Sequence, residues 1–437
     1  MRFHIPILMN ASESNFNLVD FRIGEYPTLN LNHLLYLNYV EDIRSASIRM
    51  EVQITDSQTG LVSSLQGMEP VFIGFEDHKG NAIANYMIIY DIQDRVTKAG
   101  SSKATLLLCT PDLINNAAIK LSKRLGKGGG DKISKIVEEE LLGKLLQTSV
   151  STEGMVEETA NKISFISPFW APFTIIKWLC SKAISAKSAG GKNASAGYCF
   201  FQNNLGYNFK SYDSFTRVEP VRKIVVGHQP EEMEEEEDKN ILPVDKMTVR
   251  KSSDVLRGLN MGSYANNVMT LDVKDMKYEE FPFNINKYYQ DVPLMNKNYS
   301  VPEYYKKFDK STAPTRYMSK VLDTALFTEG TYTAGMTAQI SQAALREKLF
   351  YNKEVEVEYV GTNEMTVGMV VELMVFKGKE QDLDVQNSGK YVVGRVQRQF
   401  LTKNNQMSTK LTLFTDSPGS EQTKTSDMTE DNTGIVG

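Results

Sequence analysis

A chain of 437 residues, 41% hydrophobic and 10% aromatic, is long enough to bury several cores, and two to four structural units are expected. Its formal charge of −5 excludes a global basic field that would recruit nucleic acid or anionic membranes. The first hundred residues read as strands. In SIRMEVQIT, Ile48, Met50, Val52 and Ile54 alternate with polar partners, the period of a half-buried strand. PVFIGFED, NYMIIYDI and KATLLLCT follow at short spacing, separated by HKGN and TKAGSS turns, which predicts an antiparallel sandwich or barrel.

The pattern changes near Pro111. PDLINNAAIKLSKRL has helical spacing, and DKISKIVEEELLGKLLQ places Ile133, Ile136, Val137, Leu141, Leu145 and Leu146 on one face, with Asp131 as the expected N-cap. A third helix is expected to start at Pro172, since proline suits the first helical turn, and to run through TIIKWLCSKAIS. After a hairpin and the strand RKIVVG comes the acidic run EEMEEEED at 231–238, expected to be a solvated loop. Residues 250–335 are polar and Tyr-rich with weak periodicity. TAQISQAALREKLFYN reads as a helix. Strands return in KEVEVEYV, where Val355, Val357 and Tyr359 alternate with glutamates, and in GMVVELMVF, KYVVGRVQ and STKLTLFT. The last twenty residues, from Pro418, are polar and lack aromatics; disorder in isolation is expected.

Three cysteines, Cys109, Cys180 and Cys199, each lie inside an apolar run and read as small core residues of a protein made in a reducing cytoplasm. The amino terminus, MRFHIPILMNASESNF, has only a short apolar run, so no signal peptide is expected. No segment approaches the roughly 18 apolar residues of a membrane helix.

Catalytic patterns are missing from the sequence. RLGKGGGDKIS (124–134) invites a phosphate-loop reading, but a Walker loop starting at Gly126 needs Gly-Lys where Asp131 and Lys132 stand, followed by a hydroxyl where Ile133 stands. A helix–helix linker is the expectation. His4, His33, His78 and His228 lie far from one another and from any cysteine in sequence, so no local zinc spacing exists. No G-x-S-x-G elbow occurs. With 54 acids, paired carboxylates arise by chance and do not by themselves indicate glycoside hydrolysis. Trp170 and Trp178 are expected to fill a helix–sheet seam. No catalytic, cofactor-binding or metal-binding residue is assigned, and no cofactor.

AGYCFFQNNLGYNF (196–209) compares partially with the RNP1 motif of RNA-binding sheets. Gly197, Tyr198 and Phe200 fit, but Ala196 replaces the basic residue, Phe201 the valine and Asn203 the last aromatic. The simpler reading is a hairpin with one strand apolar on both faces, a turn at NNLG using Gly206 or an Asn at positive φ, and a half-buried return strand carrying Tyr207 and Phe209.

FFQNNLGYNFKSYDSF, preceded by SPFWAPFTIIKWLCSKAIS, resembles the baseplate central hub proteins of contractile-tailed phages of the T-even type. ITDSQTGLVSSLQGMEPVFIGFED resembles that family's first barrel domain. ALREKLFYNKEVEVEYVGTNEMTVGMVVELMV, SGKYVVGRVQRQF and STKLTLFTD resemble its closing strands. The GKGGG segment, the acidic run and 250–335 depart from it. The resemblance implies an α+β, mainly β chain with two antiparallel tube-type β-barrel domains plus helix-containing α/β inserts. The first barrel would span 1–110, an α/β domain 111–215, the second barrel 216–245 and 346–417, an inserted α/β domain 246–345, and a polar tail 418–437. It further implies a non-enzymatic virion protein assembled in the host cytoplasm. As a homotrimer it would form a hollow ring between a threefold central spike, which carries the lytic domain, and a sixfold tail tube or its initiator. Baseplate wedge proteins would flank the ring, and DNA would pass through the lumen without specific binding. Two other readings stay open: a carbohydrate-active or sugar-binding β-sandwich using Trp170, Trp178 and the tyrosines of 278–332, and the hub of a related bacterial contractile injection system.

Overall fold

The computed structural model describes residues 15–57, 60–98, 100–187, 197–227, 240–244, 246–251, 256, 259–260, 265–284, 293–296, 317–322, 326–327, 339, 343, 346–377, 382–403, 406–417 and 419. The acidic run at 231–238, most of 246–345 and the tail from Pro418, Gly419 excepted, lie outside the described residues.

Six strands form from the amino-terminal region: β1 (Phe16–Ile23), β2 (Leu34–Asp42), β3 (Arg49–Asp56), β4 (Pro70–Asp77), β5 (Ala82–Lys98) and β6 (Ser101–Cys109), with a one-turn helix α1 (Leu61–Ser64) before β4. All pair antiparallel, in the order β1-β4-β5-β6-β3-β2. The alternation in β3 does what it predicts: Met50, Val52 and Ile54 are buried together with Phe21, Leu37, Phe75 and Leu106.

The middle of the chain departs from the helical expectation. Helix α2 (Pro111–Ala118) stops well short of Leu125. Leu121 instead bridges to Trp170, and β7 (Arg124–Leu125) pairs with a later strand, which puts Leu121 and Leu125 into the core. Local spacing loses to tertiary burial here. Gly126–Gly130 is a built turn leading into β8 (Asp131–Lys132), not a helix–helix linker. A Cβ on Gly126 would sit 2.3 Å from the Ile163 carbonyl oxygen, so that turn packs against backbone.

Helix α3 begins at Ile133–Lys135 and runs on as a π-helix, Ile136–Leu145. Asp131 is not its N-cap; the cap is Lys132, and Asp131 Oδ2 accepts from the Lys127 amide at 3.0 Å. The wider turn explains the burial pattern. Ile136–Val137, Leu141–Leu142 and Leu146 recur at five-residue intervals, all at most 2% exposed, while Leu145 is half-buried. Leu141→Asp is expected to cost more than about 4 kcal/mol, the loss of a buried side chain plus an unpaired carboxylate. Chemical denaturation checks this, and a wild-type midpoint would contradict the burial of that face.

Next come β9 (Lys162–Ile163), β10 (Phe165–Ile166), α4 (Pro172–Cys180), β11 (Tyr198–Asn203), β12 (Gly206–Ser211) and the short helix α5 (Tyr212–Thr216). Pro172 does open α4, but the helix ends at Cys180 rather than running on towards Ser185.

The carboxy-terminal part supplies β13 (Arg222–Val226), β14 (Ile241–Val244), β15 (Lys246–Lys251), β16 (Ala265–Asp272), β17 (Lys277–Asn284), β18 (Tyr317–Leu322), β19 (Lys353–Val360), β20 (Val370–Lys377), β21 (Asp382–Leu383), β22 (Gly389–Leu401) and β23 (Gln406–Thr415). Helical backbone at 346–350 leads into β19. Strands β17-β16-β18 make a small separate sheet. Val355, Val357 and Tyr359 are buried as their alternation predicts.

The two sets of strands predicted as separate barrels belong to one continuous sheet of fourteen described strands. Strand β22 makes the join. Its first residues pair with β20 and its last with β2, while β23 lies along its other edge. The register shifts between Val393 and Arg395, where β22 changes partner. Gly394 sits at that bulge, and a Cβ there would lie 2.1 Å from the Phe414 ring. The sheet is mixed, because β13 runs parallel to both β20 and β14. Its ladder is open among the described residues: β1, β14 and β15 each pair on one side only. At β1 a side chain fills the gap. Asn15 Nδ2 donates to the Met407 carbonyl at 2.9 Å, and its Oδ1 accepts from the Met407 amide at 2.6 Å.

Candidate assembly surfaces

The hairpin β11–β12 is a partition with a core on each side. Tyr198 and Phe200 face the helical core with Tyr207 and Phe209, whereas Cys199 and Phe201 face the core of the carboxy-terminal strands. Alternation in a strand apolar on both faces produces this split. Phe200 stacks on Tyr207 at 5.4 Å, and Tyr198 lies 4.6 Å from Phe209. The return strand is more buried than expected; only Lys210 is half-exposed. No face is left for stacking bases, so the hairpin is a wall.

Polar groups pin this wall to both sets of strands. Gln202 Oε1 accepts from Thr110 Oγ1 at 2.9 Å and from the Ile48 amide at 3.3 Å, and Asn203 Nδ2 donates to the Val367 carbonyl at 2.8 Å. Beneath lies a buried charged junction. Tyr39 donates to Glu41 at 2.6 Å, Thr366 and the Val367 amide donate to the other Glu41 oxygen, and Arg398 Nη1 lies 3.8 Å from Glu41. Burial, and then the Glu41 carboxylate, push the Tyr39 phenol well above its ordinary range. These groups link β2 and β22 to the loop before β20.

Residues singled out for chemistry fall into structural places. The three cysteines are free and buried. Burial pushes Cys109 up to about 11 and Cys199 up to about 12, and it raises Cys180 as well, so all three stay thiols at neutral pH. His33 Nδ1 lies 2.9 Å from Asn30 Oδ1 in a helix cap. His4 and His228 lie outside the described residues. Among the described residues, no group of three or more His, Cys, Asp or Glu is placed to hold a metal. No helix among them is long and apolar enough to cross a membrane.

Trp170 and Trp178 are half-buried at the edge of the helical core, not inside it. Their rings meet at 5.9 Å, and Phe165 lies 4.8 Å from Trp178. Beside them Ile166 is 70% exposed, and Phe169 is 67% exposed with φ +59°, an uncommon conformation for a bulky residue. Sequence reading missed this apolar knob, because SPFWAP carries no period.

It also missed the length of β5. The strand has 17 residues, and none from Asp91 to Lys98 is buried, although β6 beside it is flanked by β3 and buries Ala104, Thr105 and Leu106. The polar run DIQDRVTK, with no buried parity, was the signal. Strand edges paired on one side only are groups that another chain can cover.

The architecture is mainly β, a large mixed sheet with a helical insert. No protein-family description matches the chain, and no curated protein matches it by sequence. Among solved structures it is similar to the tail protein of Neisseria meningitidis MC58, with TM-score 0.56 and 10% identity over 92% of this chain and 97% of that one. It is also similar to the 43 kDa tail protein of prophage MuSo2 from Shewanella oneidensis, with TM-score 0.53 and 8% identity over 92% and 98%. A component of the type VI secretion system of E. coli, described as structurally similar to T4 bacteriophage tail proteins, matches with TM-score 0.44 and 11% identity over 93% and 77%.

Proposed function

We propose that this chain is a structural hub of a contractile phage tail baseplate, working in the virion and not as an enzyme. Three copies form a hollow ring that joins a threefold central spike to the sixfold tail tube, with wedge proteins outside and DNA passing through the lumen. The observation that carries this reading is the likeness of fold to two tail proteins across 92% of the chain. The edges of β1, β14 and β15, each paired on one side only among the described residues, support it, since a closed ring covers edges that a monomer leaves unpaired. A net charge of −5 suits a lumen that does not grip phosphate.

Purified protein, alone or co-expressed with its spike, is expected to give a threefold annulus of about 148 kDa, three times the 49.2 kDa chain. Analytical ultracentrifugation and electron microscopy check this. Duplex DNA is expected to bind negligibly at physiological salt. Tight binding with a steep salt dependence would defeat the passive lumen, and a lasting monomer in intact virions would defeat the hub.

A further inference from the structure

Where the end of β2, the start of β3, α4 and β22 meet, the surface opens into a cleft of 530 Å³. Its walls carry Arg44, Arg49, Lys177 and Arg395, all exposed. One acid, Asp42, stands among the described wall residues, and its Oδ1 already accepts from the Arg44 amide at 2.9 Å. Among the described residues none of the four cations forms an ion pair or a side-chain hydrogen bond. Arg44 is held by ring faces instead, 4.8 Å from Tyr351 and 4.9 Å from Phe414, which leaves its N–H donors unspent. Arg44 and Lys177 also line an adjoining cavity of 350 Å³ together with Glu347, whose carboxylate interacts with Lys348 and Arg44.

Strands β3 and β22, helix α4 and the turn after β2 therefore bring four cations and one carboxylate to one hollow, a net positive arrangement that favours an incoming anion. The shape of the hollow selects the anion. Duplex DNA is met along extended faces that follow phosphate after phosphate, whereas these cations surround a single cleft on a chain of charge −5. Leu113, Phe173 and Ala46 also line the cleft and suit side-chain methylenes. Guanidinium forks match carboxylates in pairs.

We propose that this cleft is a docking site for a glutamate-rich peptide segment of a partner chain. The test uses the full chain with the glutamates of 231–238 changed to glutamine, so that its own acidic run does not compete. The probe is a labelled peptide of sequence EEMEEEED. Saturable binding is expected, weakening as salt rises and falling at least tenfold in the Arg49→Glu/Arg395→Glu variant. A Lys177→Glu variant is expected to weaken binding as well, and a wild-type thermal melt for either variant ties the loss to the cleft. Absence of saturable binding, or equal binding by all variants, overturns the proposal. So does displacement of the peptide by inorganic phosphate or a duplex oligonucleotide at lower concentration than unlabelled peptide. The readout does not depend on ring formation, so the hub reading and this one fail separately.

Discussion

Replacing Arg346 with methionine is expected to lower the unfolding free energy by about 3–5 kcal/mol, because it strands buried carboxylates. The Arg346 guanidinium is 2% exposed, and each of its three nitrogens donates a hydrogen bond. Nε donates to Asp213 at 2.9 Å, Nη1 to Asp416 at 2.8 Å, and Nη2 to the Pro293 carbonyl at 2.7 Å. One side chain thus ties α5, the end of β23 and segment 293–296 to the helical turn before β19. Asp416 holds the same segment through the Met295 amide at 3.0 Å. The free-energy change in denaturant measures the effect. Combining Arg346→Met with Asp213→Leu and Asp416→Leu is expected to recover part of the loss, since a well-packed apolar set replaces an ionic one at little cost. A single variant as stable as wild type would show that the network contributes nothing.

The second large effect is expected at Gly206, the first residue of β12. Its φ is +153°, and a Cβ there would lie 2.2 Å from the Ser151 carbonyl oxygen, which accepts from the Tyr207 amide at 2.8 Å. The obstacle is backbone, so no rotamer change relieves it. Gly206→Ala is expected to cost about 2–4 kcal/mol, a disfavoured backbone conformation added to overpacking. Because β11–β12 separates two cores, the loss should appear as a lower midpoint for the whole transition. Gly128→Ala is the control: nothing lies within 4 Å of a Cβ there, and the change should stay within about 1 kcal/mol. Equal midpoints for Gly206→Ala and Gly128→Ala would refute the close approach.

Strands with one buried face were legible in the sequence. Val52 and Ile54 in β3 and Val355 and Val357 in β19 alternate with polar neighbours, and hydrophobic burial at period two needs no knowledge of the partner strand. Pro172 likewise marked the start of α4 by fixing its own φ. The π-helical turn was misread, although its signal was present. Apolar pairs five residues apart, Ile136–Val137 and Leu141–Leu142, were forced onto a 3.6-residue wheel.

The surfaces proposed to act in assembly were less legible, for a physical reason. Arg44, Arg49, Lys177 and Arg395 are scattered along the chain, and none belongs to a basic run. Their meeting depends on β22 leaving β20 for β2 at Gly394 and on α4 lining the cleft beside that strand. The same crossing joins the strands expected in two barrels into one mixed sheet among the described residues. Pairing of distant strands is set by which edges and side chains fit once the cores form, and no local pattern records that fit. The sequence alone determined the elements with one buried face, the predominance of strands, and the absence of a local catalytic or metal motif. The tertiary structure alone decided which strands join, where α2 stops, and which charges face one another, because those outcomes depend on burial between residues tens to hundreds of positions apart.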